Sequence, residues 1–371
     1  MALLLKHISE IVNQLAPKYL AQTQDNIGLQ IGSPGAPIER VLVALDPAPA
    51  VIDEAIRVQA QLIITHHPLF YRPVFNVNYE TPPGKLLKQI IGHNLNLFSA
   101  HTNWDAASSG ANQHMAELLG LSDIQPLSYQ SLTGEKKLVV FVPQSHAQAV
   151  FEAIMQAGAG VIGNYSHCSF WLSGSGTFRA SVGASPSIGQ VGQLERVQEV
   201  RIEVLLKENI LPGVIQAMIK AHPYEEAAYD IYPLEQCSPG FGRVGNIREC
   251  SLNELCGQLR QNLNLSGLRY AGDPNRRLTR IAVCTGSGGS MYEAAAASGA
   301  QVLVTGDVSY HQAQAALNLG LCVVDVGHFA PEKLSMSHMA DLLRGKLAGF
   351  TETVEVIEAE SEDDLFLFHT L

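Results

Sequence analysis

The sequence predicts an α/β protein, built as two similar α/β half-domains packed together with a ferredoxin-like (β-α-β-β-α-β) domain inserted between them. Three observations carry this reading. Short apolar, β-branched runs alternate with helical stretches near both ends of the chain, the rhythm of a mainly parallel sheet covered by helices. That rhythm breaks between about residues 127 and 236 and then resumes. Clusters of histidine and carboxylate residues stand just after apolar runs in both terminal parts.

The first 20 residues open with a short apolar run that Lys6, His7, Glu10 and Asn13 soon interrupt, while Ile8, Ile11, Val12 and Leu15 recur at helical spacing. This pattern predicts an amphipathic helix and not a signal peptide, which needs a longer unbroken core and a small-residue cleavage site. Strands are expected at 41–46, 62–67 and 97–101, with helices near 50–59 and 84–93 and another beginning near Ala106. Later, strands at 280–284, 302–305 and 322–326 are separated by helices at 291–297 and 311–317. The common element order, without common identity, points to a degenerate internal duplication.

Between the halves, a strand (137–142), a helix (147–157) and a strand (166–173) lead into a Gly/Ser-rich stretch, 174–193, read as a hairpin or mobile loop. A strand (200–206), a helix (211–221) and a strand (227–232) complete the ferredoxin-like order. The expected boundaries are 1–126 for the first half, 127–236 for the insertion and 237–371 for the second half.

Bulk properties narrow the function. A chain of 371 residues exceeds one small core, and 46% hydrophobic with 16% charged content is that of a folded protein. A formal charge of −11 argues against nucleic acid as a partner, because no global positive field draws phosphates in. No stretch approaches the roughly 20 apolar residues that span a bilayer. The cysteines Cys168, Cys237, Cys250, Cys256, Cys284 and Cys322 are scattered, so a reduced cytoplasmic protein without a disulfide framework is expected.

In open α/β sheets, ligands bind beyond the carboxyl ends of the strands, and the polar clusters sit there. His66 and His67 close an apolar strand, as one core and one surface histidine or as two imidazoles turned towards neighbouring metal ions. Asp105 either ligates a metal or caps the helix expected from Ala106. Pro331 suits a first helical position, which leaves His328 in the loop and Glu332 in the first turn. There Glu332 either meets the helix dipole or bridges two cations. Together these give three imidazoles and two carboxylates without a thiolate, a set for zinc first, with iron or manganese as alternatives. Two divalent ions on so few ligands keep positions open for water.

Thr285, Gly286, Ser287 and Gly288 follow a strand and open a helix, either as amides for a phosphate or as a tight turn. No lysine follows, so this is not a P-loop. Asp307 and His311, four residues apart, are candidates for carrying protons or orienting a metal ligand, and Asp307 equally for capping its helix. His101 is a third candidate proton carrier.

With these residues in place, the chain resembles the Nif-three-like family, also called the GTP cyclohydrolase I type 2 family. The matching stretches are Asp25-Asn26-Ile27-Gly28-Leu29-Gln30, Thr65-His66-His67-Pro68-Leu69-Phe70 and His101-Thr102-Asn103-Trp104-Asp105. Gly242-Arg243-Val244-Gly245, Thr285-Gly286-Ser287-Gly288, Thr305-Gly306-Asp307 and Gly327-His328-Phe329-Ala330-Pro331-Glu332 continue them in order. The middle segment resembles the insertion of longer members, itself similar to PII and CutA domains, with His222-Pro223-Tyr224-Glu225-Glu226 its most recognisable stretch. One departure is Gln24, where members commonly carry Trp.

The resemblance implies a dinuclear site, with His66, Asp105 and Glu332 on one ion and His67, His328 and Glu332 on the other. It also implies a toroidal homohexamer whose openings the insertions cap. The implied activity is metal-dependent hydrolysis of a nucleotide such as GTP, with phosphoester hydrolysis as the second enzymatic reading. A non-catalytic metal-binding regulatory or interaction assembly is the alternative.

Overall fold

The computed structural model describes residues 2–132, 135–163, 165–234 and 236–367. It is mixed α/β and divides into two compact units, Met1–Gln130 with Ser238–Leu371, and Ser131–Cys237. Residue 1, the last four residues and the Cys237 side chain, all covered by the sequence reading, lie outside the described residues. Cys168, Cys250, Cys256, Cys284 and Cys322 are free thiols.

The chain begins with β1 (Leu3–Leu4), α1 (Leu5–Leu15), β2 (Gly28–Ile31), β3 (Pro37–Ile38) and β4 (Arg40–Ala44). It continues through α2 (Pro49–Arg57), β5 (Leu62–Thr65), α3 (Pro82–Gly92) and β6 (Asn96–Ser99). The helices α4 (Thr102–Ala106) and α5 (Ala111–Leu118) lead to β7 (Ser122–Pro126) and β8 (Tyr129–Leu132). The inserted unit runs β9 (Glu135–Pro143), α6 (Ala147–Gln156), β10 (Ser169–Arg179), β11 (Leu194–Lys207), α7 (Leu211–Ala221) and β12 (Ala228–Pro233). Next come β13 (Gln236–Pro239), β14 (Arg243–Ser251), α8 (Leu252–Asn262), β15 (Arg269–Ala271) and β16 (Arg277–Val283). The chain ends with α9 (Tyr292–Ala297), β17 (Val302–Thr305), α10 (Tyr310–Asn318), β18 (Cys322–Asp325), α11 (Phe329–Leu347) and β19 (Glu355–Glu358).

Two large sheets organise the larger unit, beside the short β1-β3 pair. Strands β5 and β6 are buried along their whole length, which suits apolar strands covered on both faces. Their sheet has the order β19-β4-β5-β6-β2, with β2 as its antiparallel edge. The second sheet has the order β15-β18-β17-β16-β14-β7, with β16, β17 and β18 parallel and β15 as an antiparallel edge. The run α1, β2, β4, α2, β5, α3, β6 is thus matched in order by α8, β15, β16, α9, β17, α10, β18.

The sheets exchange helices. From α11, Met336, Met339, Ala340 and Leu343 enter the core of the first sheet beside Leu5, Ile8 and Val12. From α5, Met115 and Ala116 enter the core of the second sheet beside Leu255, Leu259 and Val304. Each fully buried Leu or Met side chain contributes about 1.5–3 kcal/mol, so each core depends on a helix from the far part of the chain.

In the inserted unit, four antiparallel strands stand in the order β10-β11-β9-β12. Val150 and Ile154 of α6 and Val214 and Met218 of α7 cover Leu138, Val140 and Ile202 of its sheet. The Gly/Ser-rich stretch contributes more strand than expected, since β10 continues to Arg179 and leaves only 180–193 as connection. Gly176 explains this, because a Cβ there would lie 2.0 Å from the Glu199 carboxylate on β11. Glycine lets that side chain cross the neighbouring strand.

Three other expectations change. The N-terminal helix is confined to Leu5–Leu15. The helix expected from Ala106 starts at Ala111, and Asp105 lies inside the separate turn α4, where it caps nothing. The Arg243 guanidinium donates to the Ala106 and Ala107 carbonyls at 2.8 Å and so ends α4 there. Pro331 is the third residue of α11, not the first, with His328 as N-cap. Among the described residues no helix is long and apolar enough to cross a membrane.

Candidate metal centre

Every residue of the cluster follows a strand end. His66 and His67 leave β5, His101 and Asp105 follow β6, and His328 and Glu332 follow β18. The strands place these side chains on one edge, and the hydrogen bonds then fix each ring.

Four imidazoles are anchored in the same way. His67 Nδ1 lies 2.7 Å from Asp46 Oδ1, His328 Nδ1 2.7 Å from Asp307 Oδ2, and His101 Nδ1 3.0 Å from Asp25 Oδ1. His66 Nδ1 lies 3.0 Å from the Ala100 carbonyl. An acceptor at each Nδ1 requires the proton there and leaves the Nε2 lone pair free. Those nitrogens meet the carboxylates. His66 Nε2 is 3.6 Å from Asp105 Oδ1 and 3.7 Å from Glu332 Oε1. Glu332 Oε2 is 3.1 Å from His67 Nε2 and 2.9 Å from His328 Nε2.

These separations bracket the edge of a tetrahedron around an ion bound at about 2.0–2.1 Å, which is roughly 3.3 Å. The potential ligand atoms fall into two groups, His66 with His67 and His101, and His67 with His328 and Glu332, each within 4.8 Å. His66 Nε2 and Asp105 Oδ1 are buried without a hydrogen bond, a cost of about 1–3 kcal/mol for each. A divalent cation would satisfy both.

Backbone geometry completes the cradle. Gly286 has φ +67°, and a Cβ there would lie 2.1 Å from Glu332 Oε1. Glycine at this turn admits the carboxylate. The amides of Thr285 and Gly288 are already used, donating to Asn112 Oδ1 at 2.8 Å and Thr305 Oγ1 at 3.0 Å. Asn112 also donates to the Asp105 carbonyl at 3.0 Å and so ties the Gly286 turn to α4. Trp104 donates to Ser335 Oγ at 3.3 Å, and Ser335 donates to the Glu332 carbonyl at 2.8 Å.

The electrostatics call for positive charge. For Glu332, burial opposes ionisation, but His66 and the other imidazoles hold it well below the usual carboxylate range. Burial, reinforced by the charge of Glu332, raises Asp105. Burial also opposes the cation on His67, yet Asp46 and Glu332 lift it to about 10. His328 rises to about 9, chiefly through Glu332. His66 is raised as well, with burial outweighed by Asp105 and Glu332. Protons thus gather where a dication fits. Cys284 is pushed up to about 12 by burial and then by Asp105.

The structure brings together His66, His67, His101, Asp105, His328 and Glu332, with Asp307 on the His328 ring. His311 stands apart, exposed on α10 with its ring 5.6 Å from Tyr310. Asp307 does not cap α10, because Ser309 and Gln312 form the capping box. Sequence reasoning gave no role to Asp46 or Asp25. Asp46 closes the strand expected at 41–46, and its place on the same carboxyl edge as His67 was the available signal.

Fold and cluster define an α/β protein with a candidate metal centre where two sheets present their strand ends. The chain belongs to the Duf34/NIF3 (NGG1p interacting factor 3) family, whose model matches residues 3–364. A Bacillus subtilis protein named GTP cyclohydrolase 1 type 2 homolog is 40% identical over 366 residues, covering 98% of each chain. A Mycobacterium tuberculosis protein of the same name is 38% identical over 351 residues, covering 93% of this chain and 92% of the relative. The crystal structure of a Bacillus cereus protein related to NIF3 is similar over 100% of both chains, with 38% identity and a TM-score of 0.69. A Staphylococcus aureus structure at 25% identity covers 99% of each chain with a TM-score of 0.80.

Proposed function

We propose that the protein is a dinuclear metal-dependent hydrolase acting on a nucleotide such as GTP through an activated water. The observation that carries this is Glu332, whose two oxygens face different histidines, Oε1 towards His66 and Oε2 towards His67 and His328. His66, Asp105 and Glu332 would hold one ion, and His67, His328 and Glu332 the other, zinc first and iron or manganese as alternatives. When bound, such ions supply Lewis acidity and a more acidic water.

The chain's own groups do the rest. Asp46 and Asp307 hold the Nδ1 protons of His67 and His328 and fix both rings. Asp25 does the same for His101, leaving His101 Nε2 to take or return a proton beside the centre. The Gly286 and Ser287 amides, with no acceptor among the described residues, remain for a phosphate. The name of the Bacillus subtilis relative makes GTP the substrate to try first.

Family membership also supports a homohexamer and a cytoplasmic site. The four-stranded order β10-β11-β9-β12 with its two helices supports a ferredoxin-like reading of the insertion.

The test is turnover of GTP by the metal-reconstituted protein, with formate and phosphate followed separately and Asp105→Asn as control. Formate release that the substitution abolishes supports the proposal. Phosphate alone moves the reading to a phosphoesterase. No product from a metal-filled centre moves it to a binding or regulatory assembly.

A further inference from the structure

A cavity of about 220 Å³ lies at the antiparallel edge of the second sheet, lined by residues of β15, β18 and the start of α10. It opens at the carboxyl ends of the parallel strands, where ligands of open α/β sheets bind. Two loops join it to the metal centre. Asp307, which orients His328, runs directly into Val308, Ser309 and Tyr310 of the cavity wall. Asp325, which accepts the backbone N–H of Val308 at 3.2 Å, also accepts that of Gly327 at 3.0 Å, and Gly327 immediately precedes His328.

The chemistry of the lining selects the ligand. Asp325 is neutralised by Arg269, whose Nη2 also donates to the Val308 carbonyl at 3.3 Å, so the charged pair cancels across the cavity wall. Val308, Ala313 and Val323 give an apolar surface without a free anion or cation at its base. One aromatic ring stands at the opening, Tyr310 at 77% exposure, while Tyr270 pairs with Val324 and so belongs to the other face of the sheet. A large aromatic face left in water beside an apolar recess is the element of a stacking site. The volume is below the roughly 300–1,000 Å³ of pockets that enclose whole ligands, so it takes one ring moiety.

We propose that this cavity is the subsite for the planar heteroaromatic ring of the ligand, held between Tyr310 and the apolar wall of Val308, Ala313 and Val323. The proposal rests on the reading of the centre as one that acts on a nucleotide. It adds that the base, and not the phosphate chain, is recognised at the β15 edge. Phosphate has no place there, because the arginine is already paired with Asp325.

The experiment uses the full-length, metal-loaded protein and titrates it calorimetrically with guanosine and, separately, with tripolyphosphate. The variants are Tyr310→Ala, Tyr310→Phe and Ala313→Phe, the last placed to fill the recess. Guanosine affinity should fall about tenfold in Tyr310→Ala, the scale of one lost base stack, and be kept in Tyr310→Phe. Ala313→Phe should abolish it. Metal content and tripolyphosphate binding should not change in any variant. Guanosine binding that is unaffected by both Tyr310→Ala and Ala313→Phe would overturn the subsite. So would tripolyphosphate binding by a protein that ignores guanosine, which leaves the nucleotide-centre reading standing. Variant-sensitive guanosine binding without any GTP turnover keeps the subsite and removes the hydrolase.

Discussion

Glu362 accepts the backbone N–H of Asp46 at 2.8 Å, and Asp46 in turn holds the ring of His67. The Glu362 side chain, only 4% exposed, also accepts the Leu45 N–H at 2.9 Å and pairs with Lys333, the residue after Glu332. Glu54 anchors the same segment by accepting the N–H groups of Glu360 and Ser361 at 3.0 Å. Residues close to the C-terminus therefore set the pose of a histidine supplied by β5.

Asp46→Ala should weaken metal affinity by about 10- to 100-fold, the usual effect of removing a carboxylate that orients a ligating histidine. Glu362→Gln should move affinity in the same direction by less, since it keeps the side-chain shape. A chelator-competition titration ranks the two. Equal affinity in wild type and Asp46→Ala would show that the carboxylate does not orient a ligand.

Gly286→Ala should abolish metal uptake while leaving the protein folded. The added Cβ meets Glu332 Oε1 at 2.1 Å, and the left-handed backbone costs a non-glycine residue about 1–2 kcal/mol. Metal content by elemental analysis, beside a thermal melt, separates the local effect from general unfolding.

Chelation should lower Tm by several degrees. A ligand at a thousand times its Kd adds about 4 kcal/mol to the native state, and here it would relieve buried, unpartnered His66 and Asp105 atoms. Calorimetry with and without chelator measures the shift, which Asp105→Asn should lack.

Asp25 gives a pH dependence of known sign. Burial works against its charge, but hydrogen bonds from His101 and Thr102 prevail and bring its pKa from 3.8 down to about 2. A carboxylate depressed on folding contributes its stability above the unfolded value and loses it as pH falls from about 3.8 towards 2. That contribution is about 2 kcal/mol. Denaturant melts between pH 5 and pH 3 should show a shallower acid decline for Asp25→Asn than for wild type.

The candidate cluster was legible because its residues punctuate apolar strands, although a polar pair such as His66-His67 after 62–65 read equally as one core and one surface histidine until Asp105, His328 and Glu332 were set beside it. The partners of those residues were not. Asp25 meets His101 and Glu362 meets Asp46 only through the folded topology, and no local period in the sequence joins them. Asp105 was placed at a helix start because Asp before small residues resembles a cap. The competing force was Arg243, which ends α4 from a distant strand. His311 was linked to Asp307 by helical spacing, whereas the Ser309 capping box starts α10 only after Asp307 has turned towards His328.

The exchanged helices have a consequence for synthesis. When the residues through β7 have left the ribosome, the first sheet still lacks α11, so its core stays open until nearly the whole chain has emerged. Early folding of that segment by itself is thereby deferred, and a chain released prematurely presents bare apolar surface to the cell's degradation machinery. A polypeptide that ends before Glu332 lacks both the carboxylate that faces His66 and the helix that closes the first core.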